Sequence, residues 1–233
     1  MRTQLLAATA LTTTVGFLVP GVALAQPAFD WAGFYAGLSG GVINSQDTID
    51  FSYSGSAVTL PSSVKIPAIG ELGSVTMGYD WQNGQFVYGL AGDMSLLKLS
   101  ASASGTDYDA TASLSTLLSL RARFGVAFDR MMIFATAGVT GGHAEFNTDV
   151  GKGSSGYFQE AHGSGTVLGA VVGLGAEYAI NDHVSLTAGA KYYNLGSLSA
   201  PGDTGKGSGV ADPYTASYHP SGMIFETGLN VRF

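Results

Sequence analysis

Met223-Ile224-Phe225-Glu226-Thr227-Gly228-Leu229-Asn230-Val231-Arg232-Phe233 closes the chain and decides its fold. Met223, Phe225, Thr227, Leu229, Val231 and Phe233 form one row, and Ile224, Glu226, Gly228, Asn230 and Arg232 form the other. A period of two marks a strand with unlike faces. The apolar row ends on an aromatic residue, while the opposite row carries an acid and a base. Such a strand is predicted to turn its apolar side to lipid and its charged side to an enclosed interior.

Seven earlier runs alternate in the same way. Trp31 to Asn44 sets Ala32, Phe34, Ala36, Leu38 and Val42 against Gly33, Tyr35, Gly37, Ser39 and Gly41. Asn83-Gly84, a strong hairpin signal, separates Val75-Met77-Tyr79-Trp81 from Phe86-Tyr88-Leu90-Met94. The fourth run places Leu114, Thr116, Leu118, Leu120, Ala122, Phe124, Val126 and Phe128 on one face. A turn at Asp129-Arg130 leads to the fifth, from Met132 to about Phe146, whose phase is less regular. The sixth turns Thr166, Leu168, Ala170, Val172, Leu174, Ala176 and Tyr178 outward. Asn181-Asp182 then opens the seventh, with Val184, Leu186, Ala188, Ala190 and Tyr192 on one face. Short turns near residues 83, 130 and 182 alternate with stretches at 45–72, 100–112, 147–164 and 197–221, which read as long polar loops. The expectation is an all-β fold: an eight-stranded antiparallel up-and-down transmembrane β-barrel with extracellular loops. Trp31, Tyr79, Trp81, Phe86, Phe128, Tyr178 and Phe233 gather at the turn ends, as an interfacial girdle would.

The same phases send Asp80, Asp93, Glu177 and Glu226 inward with Arg121, Arg123, Lys191 and Arg232. These acids and bases balance, so each buried ion has an available partner. A soluble barrel is the alternative, and it would hold apolar residues inside and charges outside.

Composition points the same way. Only 12% of residues are charged and mean hydropathy is +0.23, a charge content well below the roughly one quarter usual in soluble domains. After residue 25 no stretch supplies the ~20 apolar residues of a spanning helix. A closed barrel is the remaining way to satisfy backbone polar groups in hydrocarbon. Arg2, the apolar run Leu5–Leu24 and Ala23-Leu24-Ala25 read as a cleaved signal peptide over residues 1–25, with 26–233 as the barrel domain. A retained anchor helix is the alternative, and Pro20 counts against it. The chain has no cysteine, and its net charge of −7 excludes the basic face that nucleic acid requires.

Phe29-Asp30-Trp31-Ala32-Gly33-Phe34-Tyr35-Ala36-Gly37, Met77-Gly78-Tyr79-Asp80-Trp81-Gln82-Asn83-Gly84 and Tyr88-Gly89-Leu90-Ala91-Gly92-Asp93 resemble a known family. So do Arg121-Ala122-Arg123-Phe124-Gly125, Phe134-Ala135-Thr136-Ala137-Gly138 and Val231-Arg232-Phe233. Together, in this order, they resemble the small outer-membrane β-barrel proteins of Gram-negative alphaproteobacteria, which include surface antigens and "porin family" proteins. Ala91 and Thr76 depart from that pattern, where an acid and a glutamine are common. The resemblance implies export through the periplasm with chaperones, reading of Phe233 by barrel-assembly machinery, and residence among outer-membrane lipid and lipopolysaccharide. It implies no catalytic residues.

Other motifs carry less. Gly151-Lys152-Gly153-Ser154-Ser155-Gly156 fits a phosphate-loop spacing but opens no helix, and Gly205-Lys206-Gly207-Ser208-Gly209 echoes it. Gly165, Gly169 and Gly173 have helix-packing spacing in a segment too short to span. His143, His162, His183 and His219 show no metal-ligand spacing, so neither an enzyme nor a resident cofactor is expected. Tyr53, Tyr108, Tyr157, Phe158, His162, Tyr214, Tyr218 and His219 give the loops aromatic and imidazole groups; haem iron can be held by His or Tyr, with His162 and His219 as haemin candidates. The expected role is structural: envelope integrity and surface presentation. A haemin-binding or small-solute-permeable barrel is the alternative.

Overall fold

The structure, a computed structural model, describes residues 29–53, 62–105, 108–150, 159–204 and 214–233. The signal-peptide reading and both glycine-lysine motifs lie outside these residues. Strands run over Gly33–Tyr53 (β1), Ser63–Asn83 (β2), Phe86–Ser104 (β3), Tyr108–Phe128 (β4) and Met131–Val150 (β5). They continue with Gln159–Ala179 (β6), Val184–Leu195 (β7), Leu198–Pro201 (β8), Asp203–Thr204 (β9), Tyr214–His219 (β10) and Ser221–Arg232 (β11).

β1 to β7 and β11 are the staves of one antiparallel barrel. β11 pairs with β7 on one side and β1 on the other, with Val231 opposite both Val184 and Ala36. This last pairing closes the ring and removes the sheet edge, which is what allows strands to cross hydrocarbon. β8 and β10 pair with each other and carry the staves of β7 and β11 onward, while β9 pairs with β6.

The short turns lie where the sequence places them. The first is shifted by one residue: Asn83 still pairs with Phe86, so the loop is Gly84-Gln85. Gly84 has φ 60, a left-handed value that glycine adopts without steric cost.

Near the turn ends the outward row is apolar. Leu38, Val42, Leu90, Leu96, Leu118, Leu120, Leu168 and Leu174 are all exposed, a face that water would not tolerate and lipid would. Tyr79, Trp81, Phe86, Tyr88, Phe128, Tyr178 and Phe233 ring it, with Trp81 and Tyr88 stacked at 5.9 Å. Trp31 does not join this girdle. It precedes β1 and turns into the barrel mouth, where it is fully buried against Phe29 and donates its backbone N–H to Gln82 Oε1 at 2.6 Å.

Lipid contact is directly testable on β6. Leu174 faces outward among Val172 and Ala176, so Leu174→Arg should cost about 2–4 kcal/mol of stability in bilayers. Ser164→Arg lies on the same face of the same strand beyond the apolar band, and should change stability by less than about 0.5 kcal/mol. Urea unfolding in lipid vesicles reads both.

The strands are far longer than a membrane needs. β1, β2, β4 and β6 each have 21 residues, about twice the 9–11 that span a bilayer. The predicted loops are therefore mostly wall. Asp47 pairs with Ile66, Ser102 with Thr111, Asn147 with His162, and Ser217 with Ser199. Two register shifts, at Leu96/Leu99 and Leu114/Thr116, also reset the phase of β4. Leu114 and Leu117 both point inward, whereas the sequence pattern had placed Leu114 with Leu118 on the outer face. An irregularity of this kind re-aims side chains along one strand.

Candidate functional site

The barrel interior is filled in three tiers. At the turn end, Phe29, Trp31, Val87, Ala127, Met132 and Ala179 form an apolar plug. Ionic side chains occupy the middle. At the far end, a large apolar core includes Ile43, Ile49, Ile66, Leu99, Leu114 and Phe146.

All eight charges expected inside the barrel lie in the middle tier, seven of them buried and Glu226 half-buried. They form two groups. In the lower one, Arg123 reaches Asp80 Oδ2 at 3.2 Å and contacts Glu177, while Arg232 reaches Asp80 Oδ2 at 3.2 Å and Glu177 Oε1 at 3.7 Å. In the upper one, Arg121 contacts Asp93, and Lys191 bridges Asp93 Oδ1 at 3.7 Å to Glu226 Oε1 at 3.0 Å. Each group holds two acids and two bases, so neither carries net charge.

Neutral donors and rings complete the tier. Ser185 donates to Glu177 Oε1 at 2.6 Å, and Arg121 donates to Thr136 Oγ1 at 3.3 Å. The Arg123 guanidinium lies 3.9 Å from the Phe134 ring centre, and Arg232 lies 5.1 Å from that of Tyr35. Gly78 makes the space for Tyr35, because a Cβ there would stand 2.6 Å from the Tyr35 ring. A cavity of about 50 Å³ remains, lined by Thr76 and Ala91 among others, at the two positions that depart from the family pattern. It has room for a few water molecules.

The sequence reading missed a polar island in the apolar core. Asp47 is 1% exposed and accepts hydrogen bonds from Ser45 Oγ, from Tyr218 Oη at 2.6 Å and from the Ser221 N–H at 3.4 Å. Tyr218 is thus interior rather than a loop aromatic. Parity with Ile43 and Ile49 was the available signal, hidden by the polar residues around it. Ser221 follows Pro220, which has no N–H, so the carboxylate stands in where the β1 ladder passes from β11 to β10.

Burial pushes the Asp47 carboxyl above the ordinary range, against the lowering effect of its three donors. Between the ordinary and raised values the folded chain binds more protons than the unfolded one. Stability therefore falls as pH rises through that window and levels off above it. Asp47→Asn should remove that part of the slope, which unfolding titrations of both proteins across mildly acidic pH would show.

The histidines do not converge. His162 lies on the outer face of β6 against Asn147, and His219 on β10 lies 3.5 Å from the Asp50 carboxylate, with β8 between the two strands. His143 is 3.5 Å from Glu145, and His183 occupies the turn after β6. Among the described residues no group of three His, Cys, Asp or Glu could hold a metal ion. Tyr157 and Phe158 lie outside the described residues.

Residues 11–233 match the family described as the outer membrane protein beta-barrel domain. The chain is 30% identical over 214 residues to the 31 kDa outer-membrane immunogenic proteins of Brucella melitensis and Brucella suis, covering 84% of this chain and 88% of theirs. In fold it is similar to the outer membrane protein OprG of Pseudomonas aeruginosa, with a TM-score of 0.60 at 12% identity, covering 89% of this chain and 99% of that one. The closed ring of lipid-facing staves agrees with these matches, and the chain belongs to the outer membrane protein beta-barrel domain family, as a protein of the outer membrane.

Proposed function

We propose that this barrel is a structural element of the outer membrane that holds its surface segments on a rigid wall above the lipid. One observation carries the reading: the interior is filled at every level. A barrel of eight strands has little more room than its own side chains need, and here an apolar plug, a paired ionic layer and an apolar core succeed one another. The wall beyond the lipid band is a packed sheet rather than a set of loops, so it presents its connections at a fixed height. We read the short turns as periplasmic and the far end as extracellular. Export by periplasmic chaperones, insertion by barrel-assembly machinery at Phe233 and surroundings of lipid and lipopolysaccharide belong to the same proposal.

The reading is non-catalytic. Among the described residues the buried acids are held inside the barrel by arginine, lysine or hydroxyl donors, as structural partners. Among the described residues no geometry favours the haemin or permeation alternatives. In planar bilayers the purified barrel should give no stepwise conductance, whereas defined current steps would show a continuous aqueous path and end the structural reading. In the same preparation, haemin titration should give equal spectra for the wild type and the His162→Ala/His219→Ala variant. A Soret shift lost in the variant would assign haemin to those side chains.

A further inference from the structure

Above the lipid band the ring of staves is interrupted at two seams. β2 and β3 pair only up to Glu71 and Lys98, so among the described residues 63–70 and 99–104 have no partner across the first seam. β6 and β7 pair only up to Gly169 and Leu195, and β8 pairs with β10 rather than with β6. The far end is therefore two sheets, β3–β4–β5–β6 and β8–β10–β1–β2. Val64 and Ile66 of one sheet share an apolar core with Leu99, Ala112 and Phe146 of the other. Each sheet ends in two edge strands, and a row of unpaired N–H and C=O groups along an edge is a template for another strand.

Three of these four edges are defended. Along a strand, successive residues turn their N–H and C=O groups toward opposite neighbours. Ser62 O accepts from the Phe51 N–H at 3.0 Å, so even-numbered residues of β2 face β1 and odd-numbered ones face the seam. Pro67 is odd-numbered and has no N–H to offer there. Followed through the registers of β1, β10 and β8, the same alternation turns Pro201 to the second seam. On β6, Glu160 is paired by β9, and Leu168 O accepts from the Gly196 N–H at 2.8 Å, so the chain itself holds that edge at both ends. β3 is different. The Gly105 N–H donates to Tyr108 O at 2.8 Å, which assigns odd-numbered residues to β4 and aims Ser100, Ser102 and Ser104 at the seam. All three serines are exposed, and residues 99–104 contain neither proline nor a charge.

We propose that the β3 edge at 99–104 is a docking site for an extended segment of a partner protein, added as a further strand to the β3–β4–β5–β6 sheet. A row of alternating donors and acceptors is recognised by another backbone. β9 on β6 is the same mode supplied from within the chain. The flanking side chains state the chemistry of the segment. Leu99, Ala101 and Ala103 lie on the core side and Ser100, Ser102 and Ser104 on the outer side, so a segment alternating apolar and hydroxylic residues continues both rows. The pairing pattern carries this whichever way the far end faces.

The test uses the refolded barrel in micelles, a short synthetic peptide alternating valine and threonine, and the same peptide N-methylated through its centre. Amide exchange read by NMR should find Ser100, Ser102 and Ser104 unprotected in the barrel alone, and slowed about ten-fold by the first peptide. Leu99, Ala101 and Ala103, bonded to β4, should stay protected throughout. The methylated peptide should change nothing. Ser102→Pro removes an N–H that no strand uses, so it should leave the urea midpoint unchanged and weaken peptide binding about five-fold, the net worth of one hydrogen bond. Ala101→Pro removes an N–H held by β4 and should lower the midpoint. Protection of Ser100 and Ser102 without peptide would show a zipped seam, and equal effects of the two peptides would show partition into the micelle. Either result overturns the site, as does a first peptide that slows nothing. A Ser102→Pro barrel that binds like wild type, or is destabilised as Ala101→Pro is, overturns it equally.

Discussion

Arg123→Met is expected to lower the unfolding free energy of the barrel by about 3–5 kcal/mol, the usual cost of removing one partner from a buried ionic group. Arg123 is held between Asp80 and Glu177 beside the Phe134 ring, with almost no exposure. Methionine retains the length and apolar stem but leaves two acids facing Arg232 alone. Uncompensated charge then sits where water cannot solvate it. The double change Arg123→Met/Glu177→Gln should be less damaging than Arg123→Met alone, because it leaves Asp80 paired with Arg232 and the group neutral. Urea titration in vesicles gives both values, and a single variant as stable as wild type would show the pairs to be energetically idle.

Phe146→Ala should cost a comparable amount, about 3–5 kcal/mol, by opening a cavity in the far-end core. The ring is fully buried and packs 5.9 Å from that of Tyr218. Were 147–164 the start of a free loop, as the polarity of the sequence suggests, truncating its neighbour would cost little. The wall account predicts a loss of global stability and early fraying of the β4–β5–β6 ends in hydrogen exchange. A mobile-loop account predicts neither.

The contrast between these two sites explains what the sequence could and could not tell. Staves in the lipid band were legible because their faces differ sharply: Leu118 and Leu120 out, Arg121 and Arg123 in. The same contrast placed eight charges on inward rows, and their parity needed no knowledge of partners. Above the band the faces exchange roles, with Asn44, Gln46 and Asp50 outward and Ile43 and Ile49 inward. Along β1 the inward row is broken by Ser45 and Asp47, so no clean alternation survives, and polar composition reads as loop. The soluble-type arrangement set aside for the whole chain is thus the arrangement of its upper half. Leu114 was misplaced for a different reason, because a register shift re-phases a strand without marking itself in composition. Trp31 was misplaced because an aromatic at a strand start suits a girdle and a plug equally, and only the path of residues 29–32 decides.

The central claim is that the polarity of the wall inverts partway up continuous strands. Single cysteines along β3 from Tyr88 to Ser102, spin-labelled in bilayers, test it most directly. Collision with lipid-soluble oxygen should dominate at Tyr88, Leu90, Met94 and Leu96, and collision with a water-soluble nickel chelate should dominate at Lys98, Ser100 and Ser102. Inward positions such as Val87, Leu97 and Leu99 should be shielded from both. Lipid exposure that persists through Ser102, or nickel access along the inward row, would contradict the account.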